Sequence, residues 1–197
     1  MKTKLKLIGL FSGIILLGFV GNYVYDIHFN YNFMEISKSK VYKSGVIPPN
    51  KIAEYAEKYK IKSIIDLRMP GTNDLKLNPE VPGELQAEKN AVAKIKGLNY
   101  FSNPSAQIPT QKNIAYFLKI MDNPKNYPVL IHCYHGTGRA ILYSAIYKIE
   151  YENFTNEQAR LNTRGLVLFS SFDNGTPKGE FLKSYVSRNQ NTKLVQN

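Results

Sequence analysis

From residue 41 onward, short apolar runs alternate with longer stretches that carry apolar residues at helical spacing. Four runs are typical of strands, because each is brief and rich in β-branched, leucine or aromatic residues. They cover residues 41–45, 63–68, 99–101 and 129–132, of which the first is a short strand or a turn. The second is stopped by Pro70 and Gly71, and the last follows the turn signal before Pro128.

Helical segments separate these strands, and the pattern predicts them over residues 50–59, 84–96, 110–121, 139–150 and 176–188. Thr110 has the side chain expected of a helix N-cap. Residues 71–83 contain repeated glycine and proline break signals, which predict a long loop. Strands that alternate with helices in this way predict an α/β fold, with a central and mostly parallel sheet flanked by helices.

The amino terminus has a different pattern, which predicts an N-terminal membrane anchor helix. Three lysines, Lys2, Lys4 and Lys6, precede an uncharged segment over residues 7–25. Basic residues before an apolar run are typical of a secretory signal or a signal anchor, and this run approaches the ~20 residues that span a bilayer. The nearest cleavage pattern, Phe19-Val20-Gly21, is poor because of its phenylalanine, so an uncleaved anchor is favoured over a signal peptide.

These patterns divide the chain into four parts. We expect a signal anchor or signal peptide over residues 1–25, a tether over 26–40, one folded domain over 41–190 and a polar tail over 191–197. The lysines before the anchor would stay in the cytoplasm. The protein is therefore expected to be membrane-anchored or exported, with its domain extracytoplasmic, or periplasmic in a Gram-negative cell.

The chain is basic, with 26 Lys and Arg against 15 Asp and Glu and a formal net charge of +11. This balance suits an anionic substrate or an anionic membrane surface, and equally a solvated surface rich in scattered lysines. No nucleic-acid-binding motif accompanies the charge, so nucleic acid is not an expected partner.

The sequence HCYHGTGR, residues 132–139, contains the only cysteine of the chain. Cys133 lies between an apolar strand and a predicted helix, with Gly136 and Gly138 in the connecting loop. Backbone N–H groups and the helix dipole at such a junction form an anion site. Arg139 opens the helix and can bind two oxygens of one phosphate, and the same field favours the reactive thiolate.

These residues resemble the HCxxGxxR signature of cysteine-dependent protein tyrosine and dual-specificity phosphatases, in particular the compact bacterial and fungal members. The resemblance includes the strand before Cys133 and the segments at residues 41–45 and 61–68, and it covers residues 40–152. Two other interpretations remain: a sulfur-transfer loop of the rhodanese type, and an inert buried cysteine.

The resemblance implies a role for each loop residue. Cys133 is the nucleophile that forms a phosphocysteine, and His132 supports the loop. The phosphate is bound by Tyr134, His135, Gly136, Thr137, Gly138 and Arg139, with His135 either facing the substrate or lining the rim. The three histidines and one cysteine give no recognisable metal site, and no cofactor is expected.

The sequence departs from this family's pattern at two points. The hydroxyl residue that usually follows the signature arginine is Ala140 here, so phosphoenzyme hydrolysis would be slower or would use Thr137. The family also places an aspartic acid some thirty residues before the cysteine to protonate the leaving oxygen. Residues 89–121 contain no Asp, Glu or His, and the matching loop offers only Asn103, Ser105 and Gln107.

Another carboxyl group would have to supply this proton. Asp66, at the end of a neighbouring strand, is the first candidate, followed by Asp74, Glu80 and Glu84. The alternative for Asp66 is an ion pair with Arg68 or a bond to a backbone N–H group.

The sequence therefore predicts an enzyme that hydrolyses phosphate monoesters, with phosphotyrosine-like substrates favoured because a phenol leaves more easily without an acid. Its partners would be a phosphorylated protein or a small phosphate monoester. The alternative is a catalytically weak module that binds phosphorylated partners. The loop has no lysine, which argues against highly charged inositol polyphosphates.

Overall fold

The computed structural model describes residues 13, 18–21, 25, 29–70, 82–164 and 170–188. Five strands form one sheet in this part of the chain. They are β1 (Met34–Ser37), β2 (Val41–Ser44), β3 (Ser63–Asp66), β4 (Asn99–Ser102) and β5 (Val129–His132). Their order in the sheet is β1-β2-β5-β3-β4, with β1 antiparallel to β2 and all other pairs parallel. The predicted α/β fold with a mostly parallel sheet is confirmed.

Six α-helices belong to the described part of the domain. They are α1 (Ile52–Lys58), α2 (Pro82–Ala93), α3 (Gln111–Met121), α4 (Arg139–Tyr151), α5 (Asn156–Arg164) and α6 (Pro177–Ser184), with a short 3₁₀ helix at Pro124–Asn126. The Thr110 side chain caps α3 by accepting from the Asn113 N–H, as predicted. Helix α5 was not predicted, because its sequence is almost entirely polar.

The helices cover both faces of the sheet. Residues of α1 and α2 pack on one face, around Ile64 and Leu130. Residues of α3, α4, α5 and α6 pack on the other face, around Ile65, Ile131 and Cys133. Because successive strand residues point to opposite faces, His132 and Cys133 lie on opposite sides of the sheet.

The carboxyl ends of the four parallel strands meet at one edge of the sheet. Ser44 and Asp66 both pair in register with His132, the last residue of the central strand, and Ser102 pairs with Asp66. The cysteine loop follows this strand end directly. Binding sites of open α/β sheets lie at this edge.

Three expectations about segment limits need correction or fall outside the described residues. Residues 34–37 form the edge strand β1, so the domain begins within the range expected to be a tether. The predicted loop at 71–83 ends earlier, since residues 82–83 begin α2, and residues 71–81 are not described. The tail at 191–197 is also outside the described range.

Most of the predicted anchor, residues 1–25, likewise lies outside the described residues. A search of the described part of the chain finds no helix with both the length and the apolar character needed to cross a membrane.

Candidate functional site

The cysteine loop is held from outside by donors to its carbonyl groups. Val46 N–H donates to the Tyr134 carbonyl at 2.9 Å, and Asn32 Nδ2 donates to the His135 carbonyl at 2.8 Å. The buried Lys43 ammonium donates to the Gly136 carbonyl at 3.1 Å. In a trans peptide the N–H points opposite to the C=O. The N–H groups that follow these carbonyls therefore point to the inside of the loop, where an anion can bind.

Gly136 allows this close approach to strand β2. Its φ of +74° lies in the left-handed region, and a β-carbon there would be 2.5 Å from the Gly45 nitrogen. Gly45 is limited by space in the same way, because a β-carbon on it would be 2.9 Å from the Tyr134 carbonyl oxygen. Both positions therefore require glycine.

Arg139 is the buried cation of the site. It is 2% exposed, and its Nη1 donates to the Leu67 carbonyl at 2.8 Å and the Ser105 carbonyl at 3.2 Å. These two carbonyls belong to segments that follow β3 and β4. They fix the plane of the guanidinium beside Cys133, which is also buried and lines the same cleft.

The cleft above Cys133 brings together most of the predicted loop residues. Its lining consists of Gln107, Cys133, His135, Thr137, Gly138, Arg139, Ser171 and Lys178. Tyr134 is absent from this lining, and together with His135 it lines a second, adjoining cavity with Tyr31, Pro49 and Glu84. His135 is exposed between the two cavities, with its ring edge-on to Tyr134 at 4.7 Å.

Two lining residues were missed by sequence reasoning. Ser171 lies between α5 and α6, and Lys178 lies in the first turn of α6. Both are distant from the cysteine in sequence, and no motif pointed to them. The loop itself has no lysine, as the sequence shows, but the tertiary structure adds one to the cleft.

His132 lies on the opposite face of the sheet from Cys133, in a buried cluster of charged side chains. It is buried, and its Nε2 lies 2.9 Å from Glu88 Oε1 and 3.6 Å from Asp66 Oδ1. Burial lowers the pKa of the imidazole, but the Glu88 and Asp66 carboxylates outweigh this effect, so the pKa of His132 is raised.

Asp66 belongs to this buried cluster and not to the cleft. Its carboxylate accepts two bonds from the Arg68 guanidinium, both at 2.9 Å, and one from the Tyr100 hydroxyl at 2.5 Å. Burial raises the pKa of this carboxyl, but the charges of His132 and Arg68 outweigh it and lower the pKa to about 2.

The expectation that Asp66 protonates the leaving group is therefore not supported by its position. The carboxylate lies on the His132 face of the sheet, away from Cys133, and its low pKa keeps it ionised. The alternative stated from sequence, an ion pair with Arg68, is what the structure has.

Asp66, Glu88 and His132 are also close enough to resemble a metal site, with ligand atoms within 4.8 Å of one another. Arg68 already pairs with both carboxylates through Nη2. The Arg68 guanidinium is therefore already the cation that pairs with the Asp66 and Glu88 carboxylates.

The other candidate proton donors have different positions. Glu84 lines the adjoining cavity and is absent from the lining of the cleft that holds Cys133. Asp74 and Glu80 lie outside the described residues. Asn103 is buried and exchanges hydrogen bonds with Asn113, and the Ser105 hydroxyl donates to the Ala106 carbonyl. Of the three polar residues predicted to face a leaving group, Gln107 lines the cleft.

Comparison with known proteins places the chain in a family of phosphatases. A family model described as "PTP-NADK: DSP-PTPase phosphatase fused to NAD+ Kinase" matches residues 28–176, which is most of the chain. Comparison with curated proteins gives no match.

Solved structures of phosphatases share the fold. The core catalytic domain of the PP-IP phosphatase SIW14 from S. cerevisiae, in complex with citrate, has a TM-score of 0.59 at 18% identity, covering 84% of this chain and 92% of that one. TpbA from P. aeruginosa has a TM-score of 0.57 at 14% identity, covering 80% and 86%. A TpbA variant in complex with pTyr has a TM-score of 0.53 at 15% identity, covering 78% and 89%.

Proposed function

Because this chain belongs to the DSP-PTPase family of cysteine-dependent phosphatases, we propose that it hydrolyses phosphate monoesters through a phosphocysteine intermediate on Cys133. The observation that carries this proposal is the loop itself. Its carbonyls are bound from outside by Val46, Asn32 and Lys43, so its N–H groups converge above a cysteine beside the buried Arg139.

The chemistry follows from this geometry in two steps. Loop N–H groups and the Arg139 guanidinium bind the phosphate oxygens and stabilise the charge that develops on them. The Cys133 thiolate attacks phosphorus, and the S–P bond forms as the ester P–O bond breaks. Water then attacks the phosphocysteine, releases inorganic phosphate and restores the thiolate.

Phosphotyrosine-like esters are the proposed substrates. A phenol is a better leaving group than an alcohol, and the cleft lining contains no carboxylic acid among the described residues. The adjoining cavity, with Tyr31, Pro49 and Tyr134 on its walls, offers apolar surface for an aromatic ring. A structural relative, the TpbA variant, was solved in complex with pTyr, which also supports this choice.

A catalytically weak binding module is the second candidate function. Ala140 and the lack of a carboxylate in the described lining of the cleft favour it, because both features slow turnover. A module that only binds phosphate has no need of a thiol, and Cys133 is the only cysteine of the chain. We therefore favour the enzyme.

The test is a steady-state assay of the full chain with p-nitrophenyl phosphate and with matched phosphotyrosine and phosphoserine peptides. We expect turnover that Cys133→Ser abolishes, a preference for phosphotyrosine, and a phosphoenzyme that mass spectrometry detects after acid quenching. Wild-type turnover no higher than that of Cys133→Ser, with phosphopeptide binding retained, would contradict the enzyme and support the binding module.

For the amino terminus, we propose that residues 1–25 anchor the chain in a membrane with the domain extracytoplasmic. This proposal rests on the three lysines before an uncharged segment. Alkaline carbonate extraction of membranes from expressing cells tests it: an anchored chain stays in the pellet, and a chain released into the supernatant would contradict the proposal.

A further inference from the structure

The inference that follows rests on the proposed phosphatase reaction, which needs a proton on the leaving oxygen. The described part of the cleft has no carboxylic acid to supply that proton. Its lining holds eight residues, none of them Asp or Glu. Proton donation to such an oxygen contributes typically ~10²–10⁴-fold to the rate. Apart from the nucleophile and Arg139, the lining residues with a titratable side chain are His135 and Lys178.

Lys178 is placed beside the phosphate loop by the start of α6. The Thr176 side chain caps this helix by accepting from the Gly179 N–H at 3.1 Å, and Pro177 occupies its first turn. The ammonium lies 3.0 Å from the position that a β-carbon on Gly138 would take. It also lies over the buried Phe172 ring, 5.6 Å from the ring centroid.

The surroundings of Lys178 favour release of its proton. Burial lowers the pKa of the ammonium, the negative charge on Cys133 opposes this shift, and Arg139 adds to it, so that the pKa is lowered. Two carboxylates are near in sequence, but Asp173 accepts from the Ser170 N–H and Glu180 accepts from the Gly175 N–H. Arg139 itself cannot serve, since a guanidinium does not lose its proton in proteins.

The two other candidate donors are less well placed. His135 is exposed at the border of the cleft and the adjoining cavity, with its ring against Tyr134. Glu84 lines only the adjoining cavity. Lys178 alone combines partial burial with a position inside the cleft, and it is near enough to Cys133 for their charges to interact.

We propose that Lys178 is the catalytic proton donor of this phosphatase. As the Cys133 Sγ–P bond forms and the P–O bond to the leaving group breaks, a proton moves from Nζ to the leaving oxygen, giving the free alcohol and a neutral amine. In the second step the amine accepts a proton from the water that attacks phosphorus. The S–P bond then breaks, and inorganic phosphate, the thiolate and the ammonium result.

The experiment measures kcat/KM of the full chain and its variants for p-nitrophenyl phosphate, phenyl phosphate and an alkyl phosphate. Lys178→Met is expected to lose about 10²-fold or more on the alkyl ester and little on the nitrophenyl ester, whose leaving group needs no proton. Lys178→Arg should show the same loss, because it keeps the charge and has no proton to give at neutral pH. The ratio between substrates does not depend on the folded fraction of a variant.

Lys183→Met is the matched control. Lys183 is an exposed lysine on the same helix and pairs with Glu180, so this variant should have the wild-type kcat/KM on all three substrates. Wild-type activity of Lys178→Arg on the alkyl ester would overturn the proposal, because it would show that Lys178 contributes only its positive charge. So would a leaving-group-dependent loss in His135→Asn or Glu84→Gln that Lys178→Met does not show. Wild-type turnover equal to Cys133→Ser would overturn the phosphatase itself, whereas Cys133-dependent turnover that is unaffected by Lys178→Met would overturn the proton donor alone.

Discussion

The α-carbon of Gly136 lies so close to the end of strand β2 that a β-carbon would be 2.5 Å from the Gly45 nitrogen. The two glycines bring two backbones into contact without side chains between them. Val46 N–H then reaches the Tyr134 carbonyl, and Lys43 reaches the Gly136 carbonyl, 93 positions away in sequence. The shape of the phosphate loop is therefore set by β2 as well as by the loop's own residues.

This contact predicts that Gly136→Ala loses activity beyond what its backbone conformation explains. A left-handed residue other than glycine costs about 1–2 kcal/mol, and the added carbon must also displace β2. A displacement of about 1 Å at a reacting group can cost 10²-fold, so we expect a loss of that size in kcat/KM. Gly97→Ala is the matched control, since Gly97 has a φ of +82° and open space around it. Equal activity of the two variants would contradict the prediction.

Arg139→Lys is expected to lose about 10²-fold or more in kcat/KM, although the charge is kept. Lysine cannot hold the Leu67 and Ser105 carbonyls and bind phosphate in a bidentate way at the same time. Steady-state kinetics with p-nitrophenyl phosphate, together with a thermal unfolding curve that shows a folded variant, checks this. A loss of less than tenfold would show that a point charge suffices.

The single cysteine allows a direct assay of phosphate binding. Inorganic phosphate is expected to slow the alkylation of Cys133 by iodoacetamide, because an anion bound by the loop covers the sulfur. Arg139→Lys should weaken this protection. Alkylation rates followed by mass spectrometry, at rising phosphate concentration and constant ionic strength, give the dissociation constant. Equal protection by chloride at the same ionic strength would contradict a site that selects phosphate.

Asp66→Asn is expected to lower the stability of the protein without changing the preference among leaving groups. The substitution breaks a buried ion pair with Arg68, a change that costs about 3–5 kcal/mol. Urea unfolding measures the loss, and the ratio of kcat/KM for aryl and alkyl phosphates tests for a role in proton transfer. A selective loss on the alkyl ester would restore Asp66 as the proton donor.

The charges around His132 predict how stability changes with pH. The raised pKa of His132 means that its contribution is complete below about pH 6.5, the unfolded value, and is lost as pH rises through the folded pKa. Asp66 has a pKa lowered from 3.8 to about 2, so its contribution is present above pH 3.8 and is lost as pH falls toward 2.

Urea unfolding of the wild type and His132→Gln from acid to alkaline pH tests this. The wild type should lose stability above about pH 6.5 in a way that His132→Gln does not. Parallel curves for the two proteins over that range would contradict a charged His132 in the folded state.

The central strands, the main helices and the cysteine loop could be predicted from local sequence, because each depends on signals within a few residues. The run at residues 129–132, the loop glycines and the helix after Arg139 form such a continuous signal. The sequence predicts a tether where strand β1 lies, since a short half-exposed edge strand with mixed polarity has no distinctive pattern. Helix α5 was missed because its apolar residues are too few to show a helical period.

The sequence by itself determined the nucleophile, the signature arginine and the α/β order of elements, because residues adjacent in the chain produce them. Tertiary structure decided the side of the sheet on which Asp66 lies, because the alternation along β3 and its register with His132 direct that carboxylate away from Cys133. It also decided that Lys178 lines the cleft, because only the packing of α6 against the domain brings that ammonium beside Gly138. No local pattern contains either result, since each depends on how elements distant in sequence pack together.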